Sequence, residues 1–128
     1  MFKYHFFCFA LEFFICCLLA SLEHLHSNGV LHRDVKPENL VFDNQGYLRL
    51  TDLGIARIWK AENANETSGT PGYMAPEVMC RQNHGVAVDY YAVGVLGYEL
   101  MMGRVLIYRK LTTFLDATLE KNLICFFK

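Results

Sequence analysis

The sequence predicts an α+β fold that is mainly helical. Two long apolar stretches, residues 11–27 and 86–102, have lengths and spacings compatible with helices. Between them, two short apolar runs flank a glycine-containing turn, which predicts a β-hairpin. The 128 residues are enough for one compact domain and too few for two.

The first helix is predicted to end at Ser27-Asn28-Gly29, because glycine and asparagine commonly terminate helices. Val30-Leu31 is a short apolar piece that follows it, and Pro37 argues against further helix.

The hairpin strands are predicted at residues 40–42 and 47–50, around Asp43-Asn44-Gln45-Gly46. Residues 52–77 contain few large apolar side chains, so they are predicted to form a long loop, and loops of that length are usually functional. The second helix follows this loop.

Composition excludes some classes of partner. The formal net charge is -1, which gives no electrostatic reason to expect a nucleic acid partner. The five cysteines are odd in number and lack paired C-x-x-C spacing, so disulfides and a zinc site are not expected. A reducing compartment, and hence the cytoplasm, fits best.

The N-terminal stretch Tyr4–Leu22 is nearly all apolar and is close to the roughly 20 residues that span a bilayer. Glu12 would lie near the middle of such a span, where an unpaired carboxylate is costly. We therefore expect a buried helix of a soluble domain, and a membrane segment is the alternative.

The stretch His32–Asn39 reads H-R-D-V-K-P-E-N. Phosphoryl transfer needs a carboxylate near the attacking hydroxyl, a cation near the moving phosphate and oxygen ligands for magnesium. Asp34, Lys36 and Asn39 supply these three groups on one short segment. Each residue alone would most often be a solvated loop residue, but the combination rarely arises by chance.

Asp52-Leu53-Gly54 places a second carboxylate at the start of the predicted loop. By itself this tripeptide would indicate only a turn. It follows Asp34 by 18 residues with one hairpin between them, so the two carboxylates can converge on one site.

Two further motifs follow in order. Gly69–Glu77 reads G-T-P-G-Y-M-A-P-E and closes the loop, and residues 88–95 read V-D-Y-Y-A-V-G-V. A buried Asp89 would need several hydrogen bonds. An N-cap role for Asp89 is a compatible alternative.

Together the four motifs resemble those of the catalytic domain of eukaryotic-type serine/threonine protein kinases. The resemblance implies a partial protein-kinase-like fold, namely the C-terminal lobe without the β-rich N-terminal lobe and without the late C-lobe helices. It also implies transfer of the ATP γ-phosphate to serine or threonine of a protein substrate, with Mg²⁺ as cofactor. The motifs at Gly69–Glu77 and at residues 88–95 most resemble those of the second-messenger-regulated branches of the family.

The resemblance assigns roles to single positions of this sequence. Asp34 is the implied catalytic base, and Thr70 is expected to bond with Asp34 and Lys36. Lys36 is implied to contact the phosphate, and it favours serine/threonine over tyrosine substrates. The implied ATP-site residues are Lys36, Glu38, Asn39 and Asp52, of which Asn39 and Asp52 bind Mg²⁺. Structural roles are implied for His32, Glu77 and Asp89.

Arg33 raises the question of activation, because kinases with this arginine are commonly switched on when a loop phosphate pairs with it. Thr67 and Ser68 are the nearest hydroxyls in the loop. Glu66 stands where the cyclic-nucleotide-regulated branch has its phosphorylated threonine. One hypothesis is that Glu66 gives Arg33 a permanent negative charge. The alternative is a solvated Glu66 with Thr67 as the switch.

The sequence departs from the family pattern at both ends. It holds no G-x-G-x-x-G and no V-A-I-K lysine, and the arginine that usually pairs with Glu77 is missing. We therefore expect an apolar extension at 1–11, a partial kinase domain at 12–103 and a divergent tail at 104–128. Without groups that position the nucleotide, the isolated chain is expected to have negligible activity.

Two alternatives to the enzyme stay open, a non-catalytic kinase-like fragment that binds a partner and a membrane-tethered fragment. Asp34, Lys36, Asn39 and Asp52 are all present. This favours the enzyme, since a chain that no longer catalyses a reaction need not keep all four. The oligomeric state is not predicted by the sequence.

Overall fold

The structure is a computed structural model that describes residues 2–60 and 66–102, with side chains from residue 9 onward. The expected tail at 104–128 and residues 61–65 of the loop lie outside the described residues. The described elements, in chain order, are α1 (Phe2–Ser27), β1 (Val30–Leu31), a 3-10 turn (Pro37–Asn39), β2 (Leu40–Phe42), β3 (Leu48–Leu50), β4 (Arg57–Ile58), α2 (Pro76–Met79) and α3 (Ala87–Met102).

Helix α1 begins at Phe2, well before the predicted start at residue 11, because no proline or glycine interrupts the apolar run before Gly29. Its end agrees with the prediction. Gly29 adopts φ 70° and its amide bonds to the carbonyl of His26 at 2.9 Å, which stops the helix.

The predicted hairpin is present as the antiparallel pair β2–β3, with Leu40 opposite Leu50. Its turn is held by Asp43, whose Oδ1 accepts the amides of Gln45 and Tyr47, both at 2.9 Å. The second strand begins at Leu48, one residue later than predicted. The hairpin thus sets the spacing between the two carboxylate segments.

A second pair, β1–β4, brings the predicted loop back beside the end of α1, with Val30 opposite Ile58 and Leu31 opposite Arg57. The sequence did not predict this pair, because a two-residue strand inside a polar stretch carries no period-2 pattern. The pairing fixes the first part of the loop next to the segment that carries Asp34.

The main core lies between α1, α3 and the segment after β1. Leu18 and Leu22 of α1 are 1% and 0% exposed. Burying a leucine stabilises a fold by roughly 1.5–3 kcal/mol, so these two side chains tie α1 to the domain. The buried cluster consists of Leu18, Leu22, Val35, Ala92, Val93 and Leu96.

Several apolar side chains of α1 are nevertheless exposed, so the expectation of a buried helix holds for one face only. Phe9 is 70% exposed, and Phe13 and Leu19 are 38% and 37% exposed. By length and composition, Phe9–Ser27 could also cross a membrane, with a mean hydropathy of 1.5. The buried leucines show that one face of this helix packs inside the domain.

Candidate active site

The backbone that carries the site is held by Asp89 of α3. The Asp89 carboxylate is 1% exposed and accepts the backbone N–H groups of His32 at 2.9 Å and Arg33 at 2.7 Å. Arg33 has φ 69°, a strained conformation for a residue with a side chain. Asp89 lies inside α3, and its two carboxylate oxygens accept the amides of His32 and Arg33. The N-cap interpretation was therefore wrong.

His26 is a second partner of Asp89 that the sequence analysis missed. Its Nε2 lies 2.8 Å from Asp89 Oδ2, and its Nδ1 lies 3.3 Å from the hydroxyl of Tyr90. A signal was present, because His26 follows the buried Leu18 and Leu22 at intervals of four residues and therefore shares their helix face.

His32 and Thr51 join the Asp34 segment to the Asp52 segment. The His32 ring is fully buried, with Nε2 3.1 Å from the carbonyl of Thr51 and Nδ1 3.3 Å from the amide of Asp34. The carbonyl can only accept and the amide can only donate, so these contacts fit the tautomer with its proton on Nε2. The amide and the hydroxyl of Thr51 also bond to the carbonyl of Asn39, at 2.9 and 3.0 Å. Thr51 was not singled out in the sequence.

Asp34, Lys36, Asn39 and Thr70 meet in one cluster. The Lys36 Nζ lies 2.8 Å from Asp34 Oδ2 and donates to the Thr70 hydroxyl at 2.8 Å. The Thr70 hydroxyl donates in turn to Asp34 Oδ1 at 2.6 Å. Asn39 Nδ2 donates to Asp34 Oδ2 at 3.1 Å and to the Asp34 carbonyl at 2.8 Å. The contacts expected of Thr70 are therefore both present.

The charges in this cluster stabilise one another. Burial raises the pKa of Asp34, but hydrogen bonds from Lys36, Thr70 and Asn39 outweigh burial and lower the pKa below its ordinary value. The hydrogen bond to Asp34 raises the pKa of Lys36, so both groups are charged at neutral pH. A carboxylate has about four acceptor positions. Among the described residues three are occupied, which leaves an acceptor position on Oδ1 beside Thr70.

Asn39 and Asp52 are the residues that could hold magnesium. Asn39 is 5% exposed, while Asp52 is exposed and its negative charge is one contribution to the raised pKa of Lys36. An amide oxygen and a carboxylate are suitable ligands for Mg²⁺, which usually completes its shell with water and phosphate oxygens. Within the described ranges no group of three His, Cys, Asp or Glu could hold a metal alone. Any Mg²⁺ held by this pair would take its other ligands from water or phosphate oxygens.

Glu38 is exposed on the 3-10 turn, and its charge also contributes to the raised pKa of Lys36. Its carboxylate accepts none of the side-chain hydrogen bonds described above.

The loop segment 66–70 packs on the residues before Asp34. Glu66 Oε2 lies 2.8 Å from Arg33 Nη1 and 3.5 Å from Arg57 Nε. The hydrogen bond from Arg33 lowers the pKa of Glu66, with the charge of Arg57 adding to the effect. Thr67 is exposed and Ser68 is half-buried. Of these loop residues, Glu66 is the one that pairs with Arg33.

The stretch after Thr70 is anchored by Tyr73, whose hydroxyl donates to Glu99 of α3 at 2.5 Å. Burial, and then this hydrogen bond, raise the pKa of Tyr73. Glu99 was not singled out in the sequence. Glu77 is half-buried at the start of α2 and forms no ion pair within residues 2–60 and 66–102.

One loop thus carries the carboxylate of Asp34, the amine of Lys36 and the amide of Asn39, and the chain continues to a second carboxylate at Asp52. These are the kinds of group that a phosphoryl-transfer centre uses. The protein kinase domain family matches residues 5–125 of this chain. The chain therefore belongs to the protein kinase domain family.

Several curated proteins are similar to this chain. The cGMP-dependent protein kinase, isozyme 1, of Drosophila melanogaster is 43% identical over 95 residues, which cover 73% of this chain and 12% of the relative. The human cGMP-dependent protein kinase 2 is 41% identical over 93 residues, covering 72% of this chain and 12% of the relative. A probable serine/threonine-protein kinase of Dictyostelium discoideum is 43% identical over 96 residues, covering 73% of this chain and 21% of the relative. The chain thus spans about an eighth to a fifth of the length of these relatives.

Proposed function

We propose that this chain carries the phosphoryl-transfer centre of a serine/threonine protein kinase, within the larger C-terminal lobe of the kinase fold. The observation that supports this most is the contact of Asp34 with Lys36, Asn39 and Thr70, at 2.6–3.1 Å. The substrate class is a protein with a serine or threonine acceptor, and the phosphate donor is ATP.

Asp34 orients the attacking hydroxyl in this proposal. The acceptor position left on its Oδ1 can take the hydroxyl proton, next to the Thr70 hydroxyl. Because the pKa of Asp34 is lowered, the carboxylate is a weak base. That suits a transition state in which the phosphate has largely separated from its leaving group, since the proton moves late and positioning matters more than basicity.

Lys36 keeps its positive charge at all relevant pH values and can neutralise the transferred phosphate from beside Asp34. Asn39 and Asp52 would hold Mg²⁺, which neutralises phosphate charge when bound. The bonds between Thr51 and the Asn39 carbonyl tie the segment that carries Asp52 to the backbone of Asn39.

The experiment is a graft, in which the 95 matched residues of the Drosophila relative are replaced by the aligned part of this chain. We expect the graft to phosphorylate a serine peptide, to leave the matching tyrosine peptide unmodified and to require Mg²⁺. Asp52→Asn should raise the Mg²⁺ concentration needed for half-maximal rate about tenfold, and Glu23→Gln on the exposed face of α1 should not change it. A folded graft without activity, or one whose Mg²⁺ requirement ignores Asp52→Asn, would contradict the proposal.

The chain by itself is expected to be inactive, because its sequence has no glycine-rich loop and no V-A-I-K lysine to hold the nucleotide. Clear phosphotransfer by the purified 128-residue chain, abolished by Asp34→Asn, would overturn this part of the proposal.

A cytoplasmic location belongs to the same proposal, and the burial of Leu18 and Leu22 against α3 supports it. A helix inserted in a bilayer would have to withdraw both side chains from the core. Carbonate extraction of expressed protein tests this. We expect the chain in the soluble fraction, and retention in the membrane pellet would favour the tethered alternative.

A further inference from the structure

Arg33 needs a negative partner. Its side chain is 5% exposed, its Nε donates to the carbonyl of Ile55 at 2.8 Å and its Nη1 bonds to Glu66. A buried guanidinium is costly unless a carboxylate pairs with it. In the part of the chain that the structure describes, Glu66 is the carboxylate within ion-pair distance of Arg33.

Three contacts join segment 66–70 to two adjacent residues. Glu66 pairs with the Arg33 side chain, and Thr70 donates to the Asp34 carboxylate. Between them, Gly69 has φ +133°, and a Cβ at Gly69 would lie 2.8 Å from the carbonyl oxygen of Arg33. The backbone of the segment therefore lies directly on the backbone of Arg33, with one side-chain anchor at each end.

Both anchors are charge-assisted contacts. The Glu66 pair joins two charges, one of them buried, and Arg57 lies 3.5 Å from the same carboxylate oxygen. The Thr70 hydroxyl donates to the Asp34 carboxylate at 2.6 Å and accepts from Lys36 at 2.8 Å. Loss of the Glu66 pair would leave the Arg33 guanidinium without its carboxylate and the segment held at its Thr70 end alone.

The hydroxyls of the segment are not the partners of Arg33. Thr67 is exposed, and within the described ranges it takes part in none of the side-chain hydrogen bonds. A phosphate on Thr67 would have to share the guanidinium with the Glu66 carboxylate, which already bonds to Nη1.

We propose that Glu66 is a positioning residue that holds segment 66–70 on Arg33, so that Thr70 reaches Asp34 without phosphorylation of the loop. The inference rests on the proposed function for its consequence in catalysis, but the contact it describes is independent of activity. A permanent carboxylate in this place makes the ordered segment the resting state of the chain.

The test of the contact uses the isotope-labelled 128-residue chain and nuclear magnetic resonance. Glu66→Gln keeps the shape of the side chain and removes its charge. We expect it to speed solvent exchange of the Arg33 Nη1–H protons, which bond to Glu66, about tenfold or more and to move the Thr70 methyl signal toward its unfolded position. Thr67→Ala should leave both signals unchanged, and unchanged Leu22 and Val93 methyl signals show that the core is intact.

The catalytic consequence is measured in the graft, with intact mass showing that the loop carries no phosphate. Glu66→Gln should lower kcat about 10- to 100-fold with little change in KM for ATP. Thr67→Ala and Glu23→Gln should leave kcat unchanged. If Glu66→Gln alters neither the Thr70 signal nor kcat, or if Thr67→Ala has the larger effect on kcat, the inference is overturned.

The two proposals fail in different ways. If Glu66→Gln releases Thr70 in the chain but the graft is inactive, the kinase proposal is wrong and the positioning role of Glu66 still stands. If the graft is active but Glu66→Gln leaves Thr70 in place, the positioning role of Glu66 is wrong and the kinase proposal still stands.

Discussion

Thr70 donates a hydrogen bond of 2.6 Å to Asp34, although the two residues are 36 positions apart in the chain. The bond joins the loop that closes the site to the loop that carries the chemistry. Lys36 bonds to both residues, so the three side chains form a closed triangle. A substitution of Thr70 or Lys36 should therefore change the pKa of Asp34.

Thr70→Val removes the hydroxyl and keeps the shape of the side chain. Since the Thr70 hydrogen bond helps to lower the pKa of Asp34, we expect that pKa to rise in the variant. Carbon-13 resonance of the Asp34 carboxyl measures it directly. Thr67→Val, on the exposed neighbour, is the matched control and should leave the pKa of Asp34 where it is.

The same shift has a consequence for stability. A carboxyl whose pKa is lowered by folding stabilises the fold above its unfolded value of 3.8, and that contribution is lost as pH falls through the folded value. The free energy of unfolding should therefore fall less between pH 6 and pH 3 in Thr70→Val than in the unmodified chain. Equal losses in the two proteins would contradict the account of the Asp34 pKa.

Asp89→Ala should be among the most destabilising single substitutions. It leaves the buried N–H groups of His32 and Arg33 without their acceptor, and each unsatisfied group costs about 1–3 kcal/mol. Urea denaturation should show a loss of about 2–5 kcal/mol in the free energy of unfolding. Glu23→Ala, an exposed carboxylate on α1, should stay within about 0.5 kcal/mol of the unmodified chain, and equal losses in both variants would refute the role of Asp89.

Two leucines of α1 can be compared, because one is buried in the core and the other is partly exposed. Leu22 is fully buried, and Leu22→Ala should cost about 2–5 kcal/mol. Leu19 is 37% exposed, so Leu19→Ala should cost about 1 kcal/mol or less. Thermal or urea denaturation compares the two directly. A greater loss for Leu19→Ala would mean that α1 packs by its other face.

Much of the site could be predicted from the sequence, because motif residues that act together lie close in the chain. Asp34, Lys36 and Asn39 are within six positions, and the hairpin that brings Asp52 toward them has an ordinary turn signal. The fold class follows from two apolar stretches that are long enough to be helices. These features depend on local spacing, which a sequence displays.

The features that the sequence did not predict depend on contacts between distant segments. The β1–β4 pair has two residues in each strand, too few for a periodic pattern. His26 was not singled out in the sequence, although its Nε2 lies 2.8 Å from Asp89 Oδ2. The choice between Glu66 and Thr67 as the partner of Arg33 also depended on the path of the backbone through 66–70, which no local pattern determines.

The most direct test of the central claim is the single-turnover rate of phosphate transfer by the graft at saturating Mg²⁺ and ATP. Asp34→Asn keeps the shape of the side chain and removes the carboxylate that takes the hydroxyl proton. We expect the rate to fall about a hundredfold or more, while Glu23→Gln leaves it unchanged. A rate for Asp34→Asn within about threefold of the unmodified graft, far less than general-base catalysis contributes, would contradict the claim that this cluster transfers phosphate.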